Sequence, residues 1–255
     1  MVRSPYDVSY VGFAGGGFLC SLSANVAASP TPCYLCKVIK QIYYIARLNF
    51  YLEWKQQQNY LALLVYVLST AYLTYLVFNG LVSAQIWNAF FWVIFIFASV
   101  QATHRSLSEE GEKRFLLYLG MVKPGVLILG KILYNFLYLF LVGMMVFAVF
   151  LLFMGNKVHN PAVFTLLIFL AALDFAAILT FVAAIASKAG NNPALPAILS
   201  IPLLYPQIIV LSAVSLHALT GFSWSVNADY LLVLPMLALV SALLAYVLFP
   251  YLWRD

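Results

Sequence analysis

The chain alternates between long apolar segments and short polar connections, and this pattern predicts its elements. A helix that spans the hydrocarbon core of a bilayer takes about 20 mostly apolar residues. A β-barrel would instead show strands of about 10 residues with alternating polarity, which this chain lacks. We therefore predict an all-α polytopic membrane protein with six transmembrane helices, over residues 60–79, 86–103, 125–154, 162–187, 193–217 and 230–253.

Residues 38–57 have the pattern of an amphipathic helix. At about 100° per residue, one face gathers a polar and aromatic set, namely Lys40, Tyr44, Arg47, Tyr51 and Lys55. The opposite face gathers an apolar set, namely Val38, Ile42, Ile45, Ala46 and Leu52. This arrangement predicts a helix lying in the plane of the membrane interface. Asn49 and Glu53 lie on its apolar side and are candidate contacts with other helices.

A charged segment, residues 105–123, interrupts the apolar pattern between the second and third spans. It carries seven charged residues, namely Arg105, Glu109, Glu110, Glu112, Lys113, Arg114 and Lys123. Ser106 and Glu109 have the spacing of a capping box. The acids precede the bases, which complements a helix dipole. The segment is therefore predicted to form a short helix at the membrane surface, and a plain solvated loop is the alternative.

Composition and charge support this topology. Apolar residues make up 65% of the chain and charged residues 8%, whereas soluble domains have about 45–50% and 25%. Most Lys and Arg residues lie in connections on one side of the predicted spans, so the positive-inside rule places both termini in the cytoplasm. The net charge of +5 therefore indicates topology, and nucleic-acid binding is not expected.

The first 37 residues are set apart from a permease-like domain over residues 38–255. They are rich in Gly, Ser and Pro and contain all three cysteines. We expect this extension to be disordered or to result from a misassigned start site; a signal peptide fits less well, because Arg3 is nearly its only N-terminal charge. Cys33 and Cys36 form a CxxC pair, which without further ligands predicts reduced thiols and no metal site.

Polar residues within the spans are the candidates for a functional site. Asp174 lies in the middle of the fourth span, where an ionisable residue is costly and commonly functional. We expect it to be protonated, to face a wet cavity or to pair with a neighbour, for which Asn135 is the candidate. In the fifth span, Pro202 and Pro206 each remove a helical hydrogen bond. They predict either a static kink or a mobile, even re-entrant, segment.

Residues near the ends of the spans suggest where the spans stop. Asn160 precedes Pro161, the order expected of a helix N-cap. Four aromatic residues are expected in an interfacial belt, namely Trp87, Trp92, Tyr251 and Trp253.

The charged segment and its surroundings resemble a known family. Glu110-Gly111, a Phe-Leu-Leu run, a break at 122–124 and a Leu-rich restart resemble the coupling helix of ABC-2 type permeases. The chain is more closely similar to the haem exporter protein B (CcmB) family of cytochrome c maturation. The residues that carry this similarity are 52–54, 108–131, 185–191, 197–202 and 248–255.

The resemblance implies six transmembrane helices, an interfacial N-terminal helix and a cytoplasmic coupling helix. It implies a separate ABC ATPase subunit that binds ATP, which agrees with the lack of a GxxxxGK[ST] phosphate loop here. The contact with this ATPase is expected at Glu109, Glu110, Gly111, Glu112 and Arg114, with a second contact at Lys188. Other membrane subunits of the maturation complex, a second permease copy and membrane lipid are further expected partners, in the bacterial inner membrane.

The expected function is that of a permease subunit in an ABC-type haem export or haem-handling complex required for c-type cytochrome biogenesis. Haem is then a substrate and no cofactor is bound stably. His159 and His217, near the outer ends of their spans, are candidate haem contacts. The alternatives are an ABC-2 permease for a lipid, polysaccharide or drug, and a membrane assembly scaffold. No catalytic residues are expected, because no grouping typical of an enzyme occurs.

Overall fold

The computed structural model describes residues 41–43, 45–47, 57–78, 82–108, 124–188, 194–221 and 224–252. These residues all belong to one compact unit, Val38–Asp255. The extension 1–37, the interface residues Asn49 and Glu53 and most of the charged segment (109–123) lie outside the described residues. What the sequence predicts for those parts stays a prediction.

Six helices make up the larger part of the described chain, and no strand occurs in it. Each of the six predicted apolar segments overlaps one helix, and the bounds differ by a few residues. The helices are α1 (Gln57–Val77), α2 (Ala84–Ser108), α3 (Pro124–Met154), α4 (Pro161–Lys188), α5 (Ala194–Thr220) and α6 (Trp224–Leu252).

Four of these helices are long and apolar enough to cross a membrane, which fits a multi-pass membrane protein. The apolar stretches are Ala84–Thr103, Gly125–Met154, Pro161–Ala186 and Ile198–Thr220. The other two helices contain shorter apolar stretches among their described residues, Leu61–Val77 and Val233–Val247. Crossing by all six helices therefore stays a prediction.

The second helix continues beyond the end that the sequence predicts. It runs to Ser108, five residues past the predicted limit at Thr103. Ser106 is thus part of the last turn of α2, whereas an N-cap residue has non-helical backbone angles. The predicted capping box is wrong in this respect, because the apolar pattern ends before the helix does.

The fourth helix is the centre of the bundle. It contacts α2, α3, α5 and α6, and 67% of its apolar stretch is buried, compared with 33% for α5. An apolar helix that is enclosed on all sides belongs to the interior of a bundle. A residue in the middle of α4 is therefore surrounded by protein rather than by lipid.

Aromatic side chains fill the interface of α2, α3 and α4. Phe91 lies with its ring centroid 5.0 Å from that of Phe164 and 5.7 Å from that of Phe150. Trp87 and Trp92 belong to the same cluster and are 0% and 1% exposed. The predicted interfacial role of these two tryptophans is wrong, because their indoles pack against other helices instead of reaching headgroups. Tyr251 and Trp253 lie outside the described side chains.

Three glycines of α3 allow close approach of a neighbour. A Cβ atom on Gly125 would lie 2.5 Å from Cε2 of Tyr246 in α6. On Gly143 it would lie 2.6 Å from Cγ2 of Ile168 in α4, and on Gly130 it would lie 2.8 Å from Cγ2 of Ile45. A side chain at any of these positions would therefore require the contacting side chain to shift, and a large one would overpack the interface.

Residues 41–43 and 45–47 are helical and form the N-terminal helical segment, and the predicted interfacial helix over 38–57 stays a prediction. Ile45 and Ala46 are buried, and Arg47 on the predicted polar face is exposed. Ile45 packs into a cluster with Val126 of α3 and Ala245 of α6. The apolar face of this segment therefore binds the helix bundle.

The connection between α3 and α4 ends in the cap that the sequence predicts. The backbone N–H of Val163 donates to Oδ1 of Asn160 over a long 3.5 Å, and that of Phe164 donates to the Asn160 carbonyl at 3.2 Å. Pro161 follows as the first residue of α4. The Asn-Pro pair thus starts this helix.

Candidate functional site: polar groups inside the helix bundle

The bundle has an apolar exterior and a partly polar interior. Large apolar side chains are exposed on α1, α5 and α6, for example Tyr205 at 65% and Met236 at 71%. Eleven polar side chains are buried instead; they are Thr74, Asn88, Ser99, Thr103, Lys131, Asn135, Asp174, Thr180, Ser200, Gln207 and Ser215. This distribution suits a protein in lipid, and it concentrates the candidate chemistry inside.

Asp174 is the most unusual of these residues. It lies at the centre of α4 and is 0% exposed. Neither carboxyl oxygen has a hydrogen-bond partner among the described residues. Because each buried polar group without a partner is costly, this carboxyl group is an exception that requires an explanation.

The predicted pairing of Asp174 with Asn135 is wrong. Nδ2 of Asn135 donates to Oγ1 of Thr180 at 2.7 Å, and Thr180 donates in turn to the Ala176 carbonyl. Thr180 follows Asp174 by six residues, which rotates it by about 240° around the helix axis. Asn135 therefore binds another face of α4, and its own Oδ1 also has no partner in the described part of the chain.

The contacts of α4 define which neighbour covers Asp174. Phe175, about 100° further around the helix, stacks on Phe95 of α2 with ring centroids 5.4 Å apart. Thr180, at about 240°, binds Asn135 of α3. These two helices are thus turned away from the carboxyl group.

The remaining sector of α4 is shared by α5 and α6. Ala177 and Phe181, about 300° and 340° from Asp174, belong to or pack against the cluster that contains Ala245 of α6. We define the Asp174 face of α4 as Leu167, Ala171, Asp174 and Ile178. The fourth neighbour of α4 is α5, so this face lies where α5 and α6 cover the helix. The sequence alone could not show this, because the rotation of α4 is set by packing.

Gln207 of α5 lies at the same depth as Asp174. Only five residues join α4 to α5, so the two helices run in opposite directions from one end of the bundle. Asp174 and Gln207 are the central residues of their helices. Gln207 is 4% exposed. Its amide is assigned with the nitrogen toward the α5 backbone, because in that orientation the nitrogen donates to the Leu203 carbonyl at 2.6 Å.

The buried side of α5 contains polar residues at regular helical spacing. Ser200, Gln207 and Ser215 lie on the same side as Leu204 and Leu211, and all five are buried. Sequence reasoning missed this stripe. The sequence does contain a signal for this stripe, because polar residues seven and eight positions apart lie on one face of a helix.

Pro202 and Pro206 lie inside α5, which is nevertheless continuous from Ala194 to Thr220. The prediction of a re-entrant segment is therefore wrong within Ala194–Thr220. Each proline lacks the N–H that would bind the carbonyl four residues earlier. The carbonyls of Ile198 and Pro202 thus lose their helical donors.

A network of hydrogen bonds joins α2 to the C-terminal half of α5. Nδ2 of Asn88 donates to the Ser212 carbonyl at 2.8 Å. Nε1 of Trp92 donates to Oγ of Ser215 at 2.7 Å, and Oγ of Ser215 donates to Oδ1 of Asn88 at 2.6 Å. All three side chains are at most 4% exposed. The network holds these two helices in one register.

We expect Asn88→Leu to destabilise the bundle by about 1–2 kcal/mol, because hydrogen bonds between membrane helices average about 0.6 kcal/mol and several are lost together. Thermal unfolding in detergent measures the effect. Ser99→Ala is the matched control, because Ser99 is equally buried and bonds only to Phe95 of its own helix. Equal stability of both variants would contradict a clamping role for the network.

The two candidate haem contacts lie at the same end of the bundle. The N–H of Gly221 donates to the His217 carbonyl at 3.1 Å, and a Cβ on Gly221 would lie 3.1 Å from Cδ2 of His159. His159 therefore packs beside the last turn of α5, which carries His217. No group of three metal-ligating side chains occurs among the described residues.

Of the six predicted ATPase contacts, only Lys188 belongs to the described residues. Glu109, Glu110, Gly111, Glu112 and Arg114 lie outside the described residues, and Lys188 is the last residue of α4.

Residues 125–131 show the glycine and lysine spacing of a phosphate loop, but Ile132 replaces its Ser or Thr. This stretch is helical, which is unsuited to binding phosphate.

No protein-family model matches this chain, and no curated protein or solved structure matches it either.

Proposed function

We propose that the chain is the permease subunit of an ABC-type exporter that a separate ATPase subunit drives. The polar interior of the helix bundle carries this proposal, above all the carboxyl group of Asp174 at the centre of α4. Ionisable residues within membrane spans commonly mark the pathways of substrates and ions. A scaffold held together by packing alone would have no use for such a costly group.

In this proposal, a partner chain binds and hydrolyses the ATP that drives the permease. The sequence has no complete phosphate loop, and the charged segment resembles the coupling helix of ABC-2 type permeases. The apolar face of the N-terminal helical segment packs on α3 and α6, which supports a role in transmitting movement of the partner to the bundle. All six apolar helices cross the membrane in this proposal, with both termini in the cytoplasm.

The proposed cargo pathway is that of haem for c-type cytochrome biogenesis, in the bacterial inner membrane with the other maturation subunits. This part rests on the resemblance of residues 52–54, 108–131, 185–191, 197–202 and 248–255 to the haem exporter protein B family. The position of His159 beside the helix end that carries His217 is compatible with haem contact there, because histidine is a common axial ligand of haem iron.

Deletion of the gene, followed by haem staining of membrane proteins, tests the proposed function. We expect the holo-forms of c-type cytochromes to disappear and the intact gene to restore them. Normal staining in the deletion strain would contradict the role in cytochrome maturation. The remaining proposal would then be an ABC-type permease for another cargo.

Restoration by variants tests the coupling residues in the same strain. We expect Glu110→Lys combined with Glu112→Lys to restore no cytochromes and to lose the co-purifying ATPase. Lys157→Glu, a charge change at an exposed residue outside the charged segment, is the control. Undiminished ATPase co-purification with the double variant would show that the docking assignment is wrong.

A further inference from the structure

In the described part of the chain, no cation hydrogen-bonds to the carboxyl group of Asp174. The apolar stretches of α2 to α5 contain a single Lys or Arg, Lys131, which lies near the start of α3. Eight residues, or about 12 Å along a helix, separate Lys131 from Leu139 at the centre of α3. Hydrogen-bond donors are also lacking, because neither oxygen of Asp174 has a partner among the described residues.

An ionised carboxylate accepts hydrogen bonds and donates none. A partner for it must therefore carry positive charge or a donor group. Lipid chains supply neither, and ionisable residues within membrane spans almost always face a bundle interior or a water-filled cavity. Asp174 is fully buried on the side of α4 that α5 and α6 cover, so its carboxyl group faces the interior of the bundle and not lipid.

Two polar side chains lie on the buried side of the half of α5 that leads to Asp174. They are Ser200 and Gln207, and Leu204 is buried between them. The carbonyls that lack helical donors because of the prolines belong to Ile198 and Pro202, which are exposed, so these carbonyls do not face Asp174. Ser200 and Gln207 thus form a polar path from the first turns of α5 to the depth of Asp174.

We propose that the Asp174 face of α4 and the buried side of α5 line a water-accessible site that binds small cations. Asp174 supplies the negative charge, and the polar groups of α5 line the approach from the end of the bundle where that helix begins. The site deepens the proposed function, because it gives the permease a preference for cationic groups in its interior. Its test below measures labelling, so it succeeds or fails independently of transport.

Cysteine accessibility provides the test. Cys20, Cys33 and Cys36 are first replaced by serine, which removes every native thiol. Ala171→Cys then places a thiol on the Asp174 face, and Ala172→Cys places one on the opposite side of the same turn. Both alanines are 0% exposed. In intact membranes, we expect water-soluble methanethiosulfonates to label Ala171→Cys and to leave Ala172→Cys unlabelled.

Charge preference identifies the ligand class. The trimethylammonium reagent should react with Ala171→Cys faster than the sulfonate reagent, and adding Asp174→Asn should lower this rate ratio by roughly tenfold, because one nearby charge is removed. Equal labelling of the two cysteine positions, or a ratio that Asp174→Asn leaves unchanged, would overturn the proposal.

A competition measurement keeps the proposal testable if Asp174→Asn does not fold. Methylammonium chloride should slow the labelling of Ala171→Cys by neutral methyl methanethiosulfonate. The chloride of the bulky cation N-methylglucamine at equal ionic strength should not. Equal rates in both salts would show that no small cation binds, even if water reaches the site.

Discussion

Gly143→Leu should strongly reduce the yield of folded protein, because Gly143 lies where α2, α3 and α4 meet. A Cβ there would be 2.6 Å from Cγ2 of Ile168 and 3.0 Å from Cε2 of Phe95, and both neighbours are themselves fully buried. A leucine adds three further carbon atoms to this contact. Overpacking of a close-packed core by even a few atoms costs about 1–3 kcal/mol.

A graded series separates steric pressure from helix propensity. Gly143→Ala loses packing but gains up to about 1 kcal/mol of helix propensity, so we expect only a modest fall in Tm. Gly143→Leu gains a similar propensity and should still fall much further. Thermal unfolding in detergent and the monodisperse fraction after purification measure both variants.

Ala148→Leu is the matched control for this series. Ala148 lies on the same helix but is exposed, so an added side chain there meets no buried neighbour. We expect its Tm to stay close to that of the original chain. A similar fall in Tm for Ala148→Leu and Gly143→Leu would show that the three helices do not pack as described.

Much of the fold could be predicted from the pattern of apolar residues. Hydropathy finds long buried or lipid-facing helices well, because both kinds of helix are apolar for 20 residues or more. Because buried and lipid-facing helices look alike in the sequence, the interfacial position predicted for Trp87 and Trp92 is wrong. A tryptophan near the end of an apolar segment has the same local sequence whether it meets headgroups or Phe91, and tertiary packing decides between them.

The candidate site was predicted in part. The position of Asp174 in its span identified it as unusual, since ionisable residues at membrane depth are rare. Its neighbours depend on how α4 is rotated, and the sequence does not encode that rotation locally. The sequence therefore predicts Asn135 as the partner of Asp174, whereas Asn135 binds Thr180. The prediction also does not include Gln207.

The second large effect is expected at Gly130, where α3 meets the N-terminal helical segment. A Cβ on Gly130 would be 2.8 Å from Cγ2 and 3.0 Å from Cβ of Ile45, and 3.5 Å from the Ile42 carbonyl oxygen. The two short contacts are to the buried Ile45 side chain, and the Ile42 carbonyl oxygen lies at ordinary van der Waals distance. A Cβ alone thus requires the Ile45 side chain to shift, and a leucine adds three further carbon atoms to the same contact, so we expect Gly130→Leu to displace the segment from the bundle.

Hydrogen–deuterium exchange with peptide resolution measures this displacement. We expect faster exchange over residues 41–47 in Gly130→Leu, together with a much smaller change in the exchange of α4. Arg47→Ala, on the exposed side of the segment, is the control and should exchange like the original chain. If the segment transmits movement of the ATPase, Gly130→Leu should also fail to restore cytochromes in the deletion strain although the ATPase still co-purifies. Unchanged exchange over 41–47 would show that the contact with Gly130 does not hold the segment.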